Sequence, residues 1–104
     1  MIKEITGENF EAEVISGEGL VLVDFWAPWC GPCKMLTPLF EELNEEMSDV
    51  TFVKLNVDKS PQQAARYRVS SIPTLLAFKG GVVKDQIVGF RPKEELRQFI
   101  NRNK

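Results

Sequence analysis

Leu20-Val21-Leu22-Val23-Asp24-Phe25-Trp26-Ala27-Pro28-Trp29-Cys30-Gly31-Pro32-Cys33 is the stretch on which the fold turns. Residues 20–27 are apolar apart from Asp24, the length and character of a strand covered on both faces. From Pro32 the pattern changes, and Leu36, Leu39, Phe40, Leu43 and Met47 recur at the spacing of one helix face. Pro38 has no amide hydrogen to give and should kink that helix. Cys30 and Cys33 therefore fall where a buried strand becomes a long helix, the first at the entrance and the second one turn in.

Working outward, Val50 to Val57 forms another strand candidate. Ser60-Pro61 then supplies an N-cap and a proline for the first helical position, opening a short helix to about Arg68. Thr74 to Lys79 and Val82 to Val88 are two strands joined across Gly80-Gly81, whose glycines suit a hairpin turn. Pro92 to Asn101 places Leu96, Phe99 and Ile100 on one face of a last helix. At the start, Ile2 to Ile5 suggests a short strand, and Phe10 with Val14 a short helix after Thr6. Alternation followed by a hairpin predicts an α/β domain whose mixed sheet is parallel early and antiparallel late, with helices on both faces. No linker or repeat divides the chain, so residues 1–104 read as one domain.

A chain of 104 residues, 43% hydrophobic with seven Phe, two Trp and one Tyr, is able to bury one core. No run approaches the roughly 18 apolar residues of a membrane span, and Met1-Ile2-Lys3-Glu4-Ile5 lacks the apolar core of a signal peptide. The expectation is a soluble, cytoplasmic protein. With 13 basic and 15 acidic side chains interspersed and a net charge of -2, neither nucleic acid nor a membrane surface is an expected partner. The absence of histidine removes the commonest general base and the commonest nitrogen ligand for metals. Two cysteines cannot build a secreted disulfide framework, nor complete a four-ligand zinc site without carboxylates. No metal is expected, and redox chemistry is what remains.

Cysteines three apart on a helix share a face, with Cβ atoms about 5–6 Å apart, close to the separation a disulfide needs. The pair is able to cycle between dithiol and disulfide. Unpaired N–H groups and the positive end of the helix dipole favour a thiolate at the first position, which makes Cys30 the attacking sulfur. Cys33, deeper in the helix, is then the resolving thiol that opens a mixed disulfide. The competing reading is two inert packed thiols or part of a metal site. The strand-to-helix position, Trp29 beside Cys30 and the lack of further metal ligands favour redox.

Asp24 is odd in an apolar strand, because burying an ionised carboxylate is costly and its pKa should rise. It is either a structural acid beside a partner, with Lys54 on a neighbouring strand the candidate, or a proton-transfer group of the kind that gathers at functional sites. Ile72-Pro73 lies between two apolar stretches and marks a turn before a strand, since proline cannot sit inside a central ladder. Base rates favour a trans bond there. Trp26 reads as core and Lys34 as a solvated charge.

The segment Trp26-Ala27-Pro28-Trp29-Cys30-Gly31-Pro32-Cys33-Lys34 closely resembles the active-site segment of the thioredoxin family, itself a standard example of CxxC redox chemistry. Asp24, Pro38, Lys54, Asp58, Ser71-Ile72-Pro73-Thr74, Gly81 and Gly89 stand in that family's usual order and spacing, so the resemblance covers essentially the whole chain. It implies a thioredoxin fold, with a central mixed five-stranded sheet flanked by four helices. It also implies an enzyme, a thiol–disulfide oxidoreductase acting as a general protein-disulfide reductase through a Cys30–Cys33 disulfide, without a cofactor of its own. On the same resemblance Asp24 assists proton transfer at Cys33, and Gly31, Pro32 and Lys54 tune the redox pair. A cis Pro73 faces the dithiol, and Trp29, Ile72, Pro73 and Gly89 form the substrate patch. The implied partners are a thioredoxin reductase and disulfide-containing client proteins, with the chain a monomer. Phe90, and Arg91-Pro92 in place of a Ser or Thr cap, depart from the commoner pattern and bear on partner preference. An oxidant or isomerase would call for histidine in place of Pro32 and for an export signal. A binding module with incidental cysteines is the alternative from another class.

Overall fold

The computed structural model describes residues 2–104. Five strands, β1 (Lys3–Ile5), β2 (Leu20–Trp26), β3 (Val50–Asn56), β4 (Thr74–Lys79) and β5 (Val82–Val88), form one sheet in the order β1-β3-β2-β4-β5. The β1, β3 and β2 strands run parallel, while β4 pairs antiparallel with both β2 and β5. Four helical segments flank the sheet: a short π-helix (Glu11–Ile15), α1 (Gly31–Glu46), α2 (Pro61–Arg66) and α3 (Lys93–Asn103).

The central strand β2 explains why its sequence is a continuous apolar run. Successive side chains point to opposite faces. Leu20 and Leu22 meet Leu36, Phe40 and Leu43 of α1 and Leu96, Phe99 and Ile100 of α3. Val21, Val23 and Phe25 meet Phe10, Val14 and Ala64 on the other side. Both faces are therefore dry, and each fully buried side chain of this size contributes roughly 1.5–3 kcal/mol. In the hairpin, Gly80 and Gly81 have φ of 62° and 81°, the positive values that a tight two-residue turn demands at both central positions.

The helix through Pro38 is continuous from Gly31 to Glu46, with the Thr37 hydroxyl donating to the Cys33 carbonyl at 3.1 Å in the turn before the proline. Elsewhere several local expectations change. Ser60 precedes α2 but its hydroxyl makes no capping bond; it accepts the Gly7 N–H at 3.2 Å and ties the N-terminal loop to the sheet end. The short helix ends at Arg66, and Arg68 takes a positive φ of 57° in the turn that follows. The last helix begins one residue after Pro92, which occupies the N-cap instead. The first strand starts at Lys3, with Ile2 in the core beside α1.

Candidate active site

Strand pairing gathers the predicted residues at one end of the sheet. Phe25, Thr74 and Val88 stand side by side in its last shared row. Beyond that row β2 runs through Trp26 to the cysteines, Pro73 and Ile72 precede Thr74, and Gly89 follows Val88. This is the carboxyl end of the parallel strands, where open α/β sheets place their ligands. The Ile72–Pro73 peptide is cis. Gly89 donates its N–H to the Pro73 carbonyl at 2.7 Å, and Cys30 Sγ lies 3.8 Å from the Ile72 carbonyl oxygen. Gly89 has a φ of 91°, a conformation that other residues adopt only under strain.

Cys30 is the N-cap of α1, in extended conformation, and its Sγ accepts the Cys33 N–H at 3.2 Å. Sulfur thus takes the place that a Ser or Asp oxygen takes in an ordinary cap. Pro32 sits in the first turn, where a missing N–H costs nothing, and Gly31 faces open space. Cys30 and Cys33 are joined as a disulfide, their Cα atoms 5.3 Å apart. Both are buried, in a small cluster with Ala27 against which Trp26, Val57 and Ile72 pack. Beside the exposed Gly31 and Pro32, the large apolar side chain that the site presents to solvent is Trp29, 69% exposed.

The Trp29 ring is tethered at its edge, its Nε1–H donating to Asp58 Oδ2 at 2.8 Å. Asp58 in turn donates its backbone N–H to Asn56 Oδ1 at 2.8 Å, an Asx turn that ends β3. Neither Asn56 nor Asp58 was assigned a part from the sequence. The signal was present in the turn-forming Asn and Asp two apart after an apolar strand, but nothing local links that turn to Trp29.

Asp24 pairs across the sheet with Lys54 on one side and Leu75 on the other. It shares the α1 face with Leu22, which packs with Leu36, and Trp26, which packs against the cysteine cluster, so it lies beneath the first turns of α1. It is buried, and its Oδ1 has no hydrogen-bond partner. Burial pushes the carboxyl up to about 7, Lys54 opposing the rise and Glu4 adding to it. An orphaned buried carboxyl oxygen calls for an explanation beyond packing.

Lys54 stands opposite Asp24, yet its Nζ lies over the Trp26 ring, 5.0 Å from the centroid. Among the described residues no ion pair joins it to Asp24. Trp26 is only half-buried, and its Nε1–H donates to Glu4 Oε2 at 3.1 Å. The expectation that Trp26 belongs to the core is thus corrected: it is a rim residue with a polar tip, as amphipathic rings often are. Lys34 is exposed. No group of three or more Cys, Asp or Glu among the described residues is placed to hold a metal ion. No helix of the described residues is long and apolar enough to cross a membrane.

Comparison with known proteins agrees with this geometry. The thioredoxin family model matches residues 1–102. A thioredoxin of Bacillus subtilis (strain 168) is 50% identical over 103 residues, covering 98% of this chain and 97% of the relative. A thioredoxin of Listeria monocytogenes is 52% identical over 103 residues, covering 98% of both chains. One from Chlamydia caviae is 48% identical over 103 residues, covering 99% of both. With a redox-active cysteine pair at the helix entrance and these relatives along its whole length, the chain belongs to the thioredoxin family of protein-disulfide reductases.

Proposed function

We propose that Cys30 is the nucleophile of this thiol–disulfide oxidoreductase, Cys33 its resolving thiol and Asp24 the group that takes the proton from Cys33 and returns it. The Cys30 thiolate attacks one sulfur of a client disulfide, forming a mixed disulfide and releasing the other client sulfur as a thiolate. Cys33 then passes its proton to the Asp24 carboxylate, and its thiolate attacks Cys30 Sγ. The Cys30–Cys33 disulfide forms, the second client thiolate leaves, and two electrons have passed from the dithiol to the client. An acid raised to about 7 is suited to take and return a proton near neutrality.

The asymmetry between the cysteines carries this reading. The Cys33 N–H points at Cys30 Sγ from a helix N-terminus, which stabilises negative charge on that sulfur, while Cys33 itself lies buried inside the first turn. Trp29, Ile72, Pro73 and Gly89 surround Cys30 as the client platform, and Gly31, Pro32 and Lys54 tune the pair. The electrons come from a thioredoxin reductase, and the clients are disulfide-containing proteins. The chain works as a single domain, residues 1–104, monomeric and cytoplasmic, with no nucleic acid or membrane partner; its net charge of -2, without a basic stripe, supports the last point. Insulin reduction with dithiothreitol tests the reading. The protein should accelerate precipitation of the reduced chains well beyond the reagent alone, and a rate equal to the reagent's would overturn it.

A further inference from the structure

The row of the sheet that holds Asp24 continues through Lys54 to Glu4 on β1. Ile5, next to Glu4, packs on the opposite face, so alternation puts the Glu4, Lys54 and Asp24 side chains together on the α1 face. Trp26, two residues beyond Asp24 on that face, reaches past β3 to bond Glu4 Oε2 at 3.1 Å. Its ring carries the Lys54 ammonium, 5.0 Å from the centroid. Carboxylate, indole and ammonium are therefore one contiguous assembly ending at a buried acid whose Oδ1 has no partner.

We propose that Glu4 is a positioning residue for Asp24: its carboxylate fixes the Trp26 indole on which the Lys54 ammonium rests, and so sets how much of the Lys54 charge reaches Asp24. The inference rests on the reading of Asp24 as the proton-transfer group. Two effects act in the same direction. The Glu4 charge repels a charge on Asp24, and the held indole keeps Lys54 on its ring instead of against the Asp24 oxygens. The two charges act on the Asp24 carboxyl with opposite signs, Lys54 lowering it and Glu4 raising it, so holding Lys54 away and keeping the Glu4 charge both favour the protonated acid. The charged or titratable groups that face Asp24 are Lys54 from β3, Glu4 from β1 and the cysteine thiols of the reduced form from the start of α1. The β4 strand presents Leu75, and β2 itself Leu22 and Trp26.

The test follows the Asp24 carboxyl carbon by NMR titration of the reduced protein, beside the pH profile of the resolving step in single-turnover insulin reduction. Glu4→Gln keeps an acceptor for the indole but removes the charge. It should lower the Asp24 midpoint by about one pH unit at low salt, the effect of a unit charge two strand spacings away at a protein surface. Glu4→Ala, which also frees the indole, should lower it further, and 1 M salt should close most of the gap between wild type and Glu4→Gln, since Glu4 is exposed. The kinetic inflection should move with the midpoint. A midpoint unmoved in both variants overturns the proposal, as does a midpoint that moves while the kinetic inflection stays. Failure of the underlying reading looks different, because Asp24→Asn would then keep the wild-type inflection.

Discussion

Asp24 is the residue at which stability and chemistry pull apart. A carboxyl held at about 7 in the folded chain and at its ordinary value near 4 in the unfolded chain binds an extra proton when folded. The contribution of Asp24 to stability is therefore greatest below about pH 4 and falls as pH climbs through the window from 4 to 7, by roughly 4 kcal/mol in total. Asp24→Asn should remove this loss. Urea unfolding at pH 8 should find the variant more stable than wild type by a few kcal/mol, with the difference nearly gone at pH 3.5. Equal gains at both pH values would refute the burial argument. The anomaly was legible in the sequence, because an acid inside Leu20 to Ala27 has no ordinary place. The partners were legible only in part. Lys54 could be named from its strand, but its rest on Trp26 depends on Glu4, 22 positions before the indole, and periodicity says nothing about such a contact.

At the scale of elements, the strands were readable where a pattern had a single physical meaning. The run before Cys30 had to be a strand covered twice, and the two glycines between Lys79 and Val82 had to be a hairpin. The first helix was harder, because Phe10 and Val14 satisfy α and π spacing alike and only the backbone separates them. Ser60 looked like a cap by composition, but the Gly7 amide competes for its oxygen. The hairpin makes a quantitative prediction. A Cβ on Gly81 would lie 3.1 Å from the Ile15 carbonyl oxygen at a φ of 81°, whereas one on Gly80 meets nothing within 4 Å at a φ of 62°. Gly80→Ala should cost about 1 kcal/mol for the positive φ alone. Gly81→Ala should cost roughly 2–3 kcal/mol, since the turn must also move off the π-helix. Thermal unfolding of the two variants should rank them in that order, and equal costs would contradict the contact.

Over the whole molecule, the reactive unit is assembled from segments far apart in the chain. The junction of β2 and α1 supplies the cysteines, the loop before β4 supplies Ile72 and Pro73, and the end of β5 supplies Gly89; the Gly89 to Pro73 bond closes the ring around Cys30. Only the first of these was visible as chemistry in the sequence itself, and the others came through family resemblance, because convergence at a sheet end is a property of strand order. At the far end of α1 from the cysteines, α3 is tied to α1 by Lys93 and Arg97, each bonded to Glu46, whose carboxyl these two bonds hold below its ordinary value. That exposed network is screened by salt and lies away from the site.

The most direct test of the division of labour is trapping of mixed disulfides with single cysteine variants, read by mass spectrometry after incubation with disulfide-containing proteins. Cys33→Ser should accumulate client adducts on Cys30, because no resolving thiol is left, while Cys30→Ser should accumulate almost none. Adducts on Cys33 in the Cys30→Ser variant, with none on Cys30 in Cys33→Ser, would reverse the assignment and contradict the account.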